Sequence, residues 1–344
     1  MINPTKSYKK TFIILLITLV FIFIVNLSLG SVYIPLKQVF LALTNGELEK
    51  DSWESIILSV RLPKAITAII VGSGLSISGL LMQTLFRNPL AGPFVLGISS
   101  GASLGVAILI LGGSFLGANI TSYAFTNLGL AIAASLGAFL VLSAVMMAAQ
   151  KVKNTMSILI IGLMFGSLTS AVISILAYFG SASQLQQYMF WSFGSLGNLS
   201  WKEITVLCAA FLIGISFVVF IIKPLNTLLL GENYAKSLGV NVKKTRNLVL
   251  IATSLLTGVI TAFSGPIAFI GLAVPHLTKL LFSTSNHKTL IPAVAISGSI
   301  IMLICDSIAQ LPTSEYTLPI NAITSLFGAP IIIWLLVRKR KVYY

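Results

Sequence analysis

The chain has 344 residues, of which 56 % are hydrophobic and 9 % charged, with a net charge of +14 and a mean hydropathy of +1.00. A soluble domain carries roughly 25 % charged residues, so this composition excludes a chain wetted on all sides. It reads as an all-α integral membrane protein of one transmembrane domain over residues 1–344, built from about ten helices with short broken helices and one cytoplasmic helix-bearing loop.

A membrane-crossing helix needs about 20 mostly apolar residues. Runs of that kind fall at approximately 11–30, 62–86, 92–112, 125–149, 155–180, 201–222, 246–264, 269–283, 290–311 and 320–337. Lys6, Lys9 and Lys10 precede the first run in the manner of a signal peptide. No small-x-small cleavage site follows it, and the run is long for such a segment, so an uncleaved first helix is expected. The eighth run is short, and Gly265-Pro266 breaks the chain just before it.

Basic residues mark the cytoplasmic ends of membrane helices. With the N-terminus inside, 17 of the 22 Lys and Arg residues face the cytoplasm; Lys37, Lys50, Arg61, Lys64 and Lys202 are the five that do not. Among the acids, Glu47, Glu49, Asp51, Glu54, Glu203 and Glu315 fall outside and Glu232 inside. Both termini are therefore expected in the cytoplasm. The positive charge sits at helix ends facing anionic headgroups, so no nucleic-acid partner is implied; the partner it implies is the lipid bilayer.

Catalytic equipment is missing from the sequence. It contains no G-x-x-x-x-G-K-[ST] nucleotide loop, no H-E-x-x-H and no C-x-x-C. His276 and His287 have no ligand cluster around them and read as polar groups near the interface; Cys208 and Cys305 fall inside spans as small apolar packing residues. The expectation is a protein that is not an enzyme, with no catalytic residue, no cofactor and no metal site.

Three stretches stand out in chain order. Arg61-Leu62-Pro63-Lys64 opens the second span. Pro63 suits a first helical turn, whereas two cations there oppose the helix dipole. They either snorkel to headgroups or pair with Glu54, or they meet an acidic partner. Next, Asn88-Pro89-Leu90-Ala91-Gly92-Pro93 cannot continue a helix, and irregular backbone at membrane depth must be buried in protein or line a cavity. The small residues of Gly97–Ser103 that follow serve close packing or leave room beside a path. Finally, residues 224–244 form a long connection in which Leu225, Leu228, Leu229, Ala235 and Leu238 recur at helical spacing, with Gly239 placed to end the helix. Such a stripe lies in a partner's groove or on the membrane surface. In addition, Ala91–Gly97 echoes Ser264–Gly271 at opposite faces, the arrangement of an inverted repeat with broken helices along a path.

In this order and spacing, RLPKAITAIIVGSGLSISGLLMQTLFRNPLAGPFVLGISSGAS (61–103), LGENYAKSLGVN (230–241), GPIAFIGLAVPHLTKLL (265–281) and LPINAITSLFGAP (318–330) resemble the FecCD-type permeases of iron-siderophore, haem and vitamin B12 ABC importers. The resemblance implies ten helices per subunit and a second permease subunit alongside. It also implies two cytoplasmic ATPase subunits beneath and an extracytoplasmic substrate-binding protein above, in a bacterial cytoplasmic (inner) membrane. It assigns Arg61 and Lys64 to binding-protein docking. It assigns Leu229, Leu230, Gly231, Glu232, Ala235, Leu238 and Gly239 to ATPase coupling. Asn88, Leu90, Asn154 and Thr155 are assigned to the cytoplasmic gate and pathway. The substrate it implies is an iron chelate, siderophore or haem, with cobalamin as the alternative.

The chain also departs from that pattern. Lys64 and Gln310 stand where the family often has arginine, Thr317 to Asn321 replaces E-L-P-V-G, and Gly92 replaces a common acid. Asp306 lies within a span, where an ionisable group costs about 2.5–3.5 kcal/mol at mid-helix; near the outer end, a structural hydrogen-bonding role is expected of it. A lone Asp306 also weighs against an ion-coupled secondary transporter, which would need paired buried acids.

Overall fold

The computed structural model describes residues 8–113, 126–152, 155–197, 199–312, 314 and 316–337, and all regular elements in them are helical. Asn154 and Glu315 lie outside the described residues. The elements are α1 (Lys9–Ser28), α2 (Leu36–Leu43), α3 (Asp51–Ser55), a π-helical segment (Ile56–Arg61), α4 (Leu62–Phe86), a 3-10 turn (Pro93–Leu96) and α5 (Ile98–Leu111). They continue with α6 (Asn127–Gln150), α7 (Thr155–Phe179), α8 (Ala182–Ser192), α9 (Trp201–Leu228), α10 (Glu232–Ser237), α11 (Val242–Ser264), α12 (Ile270–Phe282), α13 (His287–Ala309) and α14 (Ile320–Val337).

Each of the ten expected spans coincides with one of these helices. Seven helical stretches are long and apolar enough to cross a bilayer, and the cores of three further spans, Ile98–Leu111, Ile270–Phe282 and Ile320–Leu335, are shorter. The ends differ from expectation in two places. The second span begins at Asp51, because α3, the π segment and α4 run on as one helix of 36 residues. Pro63 therefore sits inside a helix, and the wider π turn just before it accommodates the missing backbone donor. Likewise α9 continues through Pro224 to Leu228. Leu225 and Leu228 are buried there, so they belong to the span's core-facing side and not to the following loop.

Helix α4 is the hub. Of its most apolar window 89 % is buried, against 17 % for α1 and for Met156–Phe179; the latter two present their side chains to lipid or to another subunit. Close approach is set by glycine. A Cβ on Gly79 would lie 1.6 Å from the Gly271 carbonyl oxygen, and one on Gly72 would lie 2.3 Å from that of Gly298, so α4 touches α12 and α13 backbone to backbone. Gly101 and Gly105, four apart on α5, meet Gly137 and Ala133 of α6 in the same way. Small residues at helix interfaces allow this in lipid, where there is no hydrophobic drive between helices. The Gly97–Ser103 stretch is thus a packing surface.

The bundle has two ends. Tyr8, Phe86, Leu228, Phe282 and His287 gather at the proximal end, where Tyr8 and Phe12 stack on Phe282 at ring distances of 5.4 and 5.0 Å. Ser28, Arg61, Lys64 and Asp306 gather at the distal end. Four helices, α2, α3, α8 and α10, have no counterpart among the expected spans, and of these α10 falls in the connection expected to carry a helix. Helix α8 is announced by a capping box in which Ser181 and Gln184 bond each other's backbone.

Candidate functional site

The distal end carries a buried polar cluster. Arg61 lies mid-helix and only 7 % exposed. Its guanidinium donates to Leu27 O at 2.8 Å, to Ser28 O at 2.9 Å and to Val32 O. Those carbonyls close the C-terminus of α1, which leaves acceptors without intrahelical donors and carries the negative end of the helix dipole. The cation therefore caps α1 and ties down the turn after it, and it does not sit at a helix N-terminus. Gly30 is required beside it, since a Cβ there would lie 2.8 Å from the guanidinium. Lys64 Nζ pairs with Asp306 at 3.0 Å, not with Glu54. Asp306 is 1 % exposed, and its other oxygen accepts from Asn26 Nδ2 at 2.9 Å and Gln310 Nε2 at 2.7 Å. The cluster joins α1, α4 and α13, and Asp306 fills the structural role expected of it.

The two chain breaks meet inside the bundle. On the proximal side Asn88 closes a turn by accepting from Leu90 N at 2.9 Å, and His276 Nε2 holds Pro89 O at 2.8 Å. Leu90 is 43 % exposed at the tip. The chain then re-enters as the Pro93–Leu96 turn. From the distal side, Gly265 takes φ +72° and Phe269 φ +66° before α12 begins. A Cβ on Gly271 would lie 3.0 Å from Pro93 Cδ, so the 3-10 turn that leads into α5 lies against the first turn of α12. Asn321, in the turn that departs from the family pattern, steadies the second break, because its Oδ1 accepts from Ala268 N at 3.0 Å. A distal cavity of about 300 Å3 opens beside that break, lined by Trp191, Ser195, Ser264 and Gly265 among others. Thr155 begins α7; its expected gate partner Asn154 lies outside the described residues.

The connection over residues 224–244 is more finely divided than the spacing suggests. Helix α9 ends at Leu228; Leu229 and Leu230 turn, Gly231 takes φ +118°, and α10 runs for only six residues. Gly239, at φ +80°, ends α10 in a Schellman motif: Gly239 N donates to Lys236 O and Val240 N to Ala235 O, each at 3.0 Å. Ala235 is fully buried, as are Leu225 and, nearly so, Leu228. The outward apolar face is instead Leu230, Tyr234 and Leu238, exposed by 64, 54 and 57 %. Tyr234 and Leu238, four residues apart, share one face of α10, and Leu230 lies in the turn before it. Tyr234 escapes a stripe drawn through the buried positions; its spacing from Leu230 and Leu238 is the signal that finds it.

Residues 17–338 match the model of the FecCD transport family. The chain belongs to that family. The FecCD chain is 34 % identical over 329 residues to the vitamin B12 import system permease protein BtuC of Klebsiella pneumoniae subsp. pneumoniae, covering 95 % of this chain and 92 % of that one. It is also 34 % identical over 333 residues to the hemin transport system permease protein HmuU of Yersinia pestis, covering 95 % and 96 %. A solved structure described as an inward-facing conformation of a metal-chelate type ABC transporter superposes with a TM-score of 0.84 at 30 % identity, covering 96 % of this chain and all of that one. The FecCD chain is accordingly a multi-pass membrane permease subunit of an ABC importer, a kind of subunit that works with ATPase and substrate-binding partners and dimerises.

Proposed function

We propose that this FecCD permease moves an iron chelate, a siderophore complex or haem, into the cytoplasm by alternating access. It sits in the bacterial cytoplasmic membrane with both termini inside, beside a second permease subunit. Two ATPase subunits drive it from the proximal side, and a binding protein delivers the chelate to the distal side. The observation that supports the ATP-driven reading is the exposure of Leu230, Tyr234 and Leu238 at the proximal end, where more than half of each side chain is open. The residues around these three, Leu229, Gly231, Glu232, Ala235 and Gly239, set the segment's shape, and nucleotide hydrolysis belongs to the partner.

The turn of Asn88 and Leu90 forms the proximal gate, with Asn154 and Thr155 as its second element. At the distal end Lys64 and Arg61 shape the docking surface. Arg61 acts there by fixing the turn after α1, because its guanidinium is already engaged by carbonyls. Engagement of Asp306 with Lys64 at 3.0 Å leaves no free buried carboxylate for a coupling ion on that helix, which weighs against a secondary transporter. Cobalamin is the second substrate reading, supported by the vitamin B12 permeases among the relatives.

The test is ATP-dependent uptake into proteoliposomes holding the permease, its ATPase and its binding protein, compared for a ferric siderophore, haem and cobalamin. Uptake of cobalamin alone would replace the iron-chelate reading. Uptake driven by an ion gradient without the ATPase would overturn the importer mechanism.

A further inference from the structure

At the proximal end, the last turn of α4, the turn after α9, the end of α12 and the start of α13 enclose a half-open cavity of about 290 Å3. Its lining includes Arg87, Lys279, Ser285 and His287, and no carboxylate. His287 is committed: its ring lies 2.8 Å from both Thr84 Oγ1 and Asn226 Oδ1. Arg87 donates one Nη to Leu228 O, leaving its other donors unassigned. Lys279 is half-buried, and among the described residues its ammonium has neither a hydrogen-bond nor an ion-pair partner. Two cations thus face a cavity that contains no counter-charge. An oxyanion with several acceptor oxygens meets Arg and Lys with short charge-assisted bonds.

We propose that this cavity binds a phosphate-type anion, bridged by Lys279 and Arg87 with the Ser285 hydroxyl at its edge. The cavity lies where the spanning helix α4 ends, and basic pockets between the ends of membrane helices take anionic headgroups. The phosphate of an anionic lipid and free inorganic phosphate share the recognising chemistry. Occupancy has a structural consequence. Arg87 already grips Leu228 O, where α9 gives way to the coupling segment, so a bound phosphate fixes the joint between the α4 hub and that segment.

The experiment uses the full-length permease in nanodiscs of phosphatidylcholine, with and without phosphatidylglycerol, and separately in phosphatidylcholine with millimolar inorganic phosphate. Thermal stability and native mass spectrometry of retained lipid are read for the wild type, Lys279→Met, Lys279→Arg and Lys279→Met/Arg87→Gln. Stabilisation by phosphatidylglycerol alone identifies a lipid headgroup, and stabilisation by inorganic phosphate identifies the free ion. Lipid retention in the first case, or the affinity for phosphate read from the thermal shift in the second, falls roughly tenfold or more in the double variant, as expected when two charge-assisted contacts are lost, and Lys279→Arg preserves it. Lys223→Gln and Lys288→Gln, exposed cations of the same face outside the cavity lining, leave retention unchanged. Equal responses of the wild type and Lys279→Met would overturn the proposal, as would equal loss in the two control variants, which would reduce the effect to the charge of the whole face.

Discussion

Aspartate at both Leu230 and Leu238 should uncouple the permease from its ATPase without unfolding it. Both leucines are more than half exposed, at 64 and 57 %, so the free permease loses little packing by the exchange. Docking is another matter. Burying a leucine fully is worth about 1.5–3 kcal/mol, so covering the open part of each contributes about 1–2 kcal/mol. Two carboxylates forced into the same apolar contact add a desolvation cost of several kcal/mol. A combined loss of at least about 3 kcal/mol lowers ATPase affinity by about a hundredfold or more. The assay is co-purification of the ATPase with the permease, beside chelate uptake in membranes of matched expression. Leu225→Asp provides the contrast: Leu225 is fully buried, and its replacement should reduce expression itself. Normal uptake and normal co-purification in the double variant would refute the reasoning and return α10 to the status of a surface helix.

Arg61→Ala should lower thermal stability by about 2–4 kcal/mol, because it strips donors from the buried carbonyls of Leu27 and Ser28; a melt in detergent unchanged within error would show that the cap is not stabilising. Breaking the distal ion pair by Asp306→Asn should cost about 2–3 kcal/mol, less than a fully buried pair because Lys64 is 19 % exposed, and adding Lys64→Met should recover part of that loss. A double-mutant cycle with no coupling energy would contradict the pairing. Gly79→Ala should cost about 1–3 kcal/mol by overpacking, since its Cβ would overlap the Gly271 carbonyl; a wild-type melt would mean the helices separate freely. For orientation, cysteine at Lys236 should label only from the cytoplasm and at Glu49 only from outside, and the inverse pattern would reverse the topology.

Much of the bundle is legible in the sequence because a membrane helix must satisfy its backbone internally and be apolar over a fixed length. Those are local conditions. The ten runs, the break at Gly265-Pro266 and the stop at Gly239 follow from them and from the φ that glycine alone adopts freely. The connection after α9 is recognisable for the same reason, as apolar residues beyond the end of a span. Helices α2, α3 and α8 escape such a reading because they are short and lack the length signal. Of the expected stripe Leu238 faces outward while Leu225, Leu228 and Ala235 are buried, because periodicity fixes spacing but not which side the core occupies.

What tertiary structure decided is the set of partners. Nothing near Arg61 in sequence announces that its guanidinium caps a helix more than thirty residues upstream, because an orphan carbonyl is a backbone feature without a residue signature. Lys64 could have met Glu54, ten positions away, yet pairs with Asp306 because glycines let α13 lie directly against α4. The Pro93–Leu96 turn and the start of α12 likewise meet only because the chain re-enters the bundle from both ends. Residue type and spacing determine which segments enter the membrane; which polar groups find each other there depends on how closely the helices can approach, and that is set by packing between segments far apart in the chain.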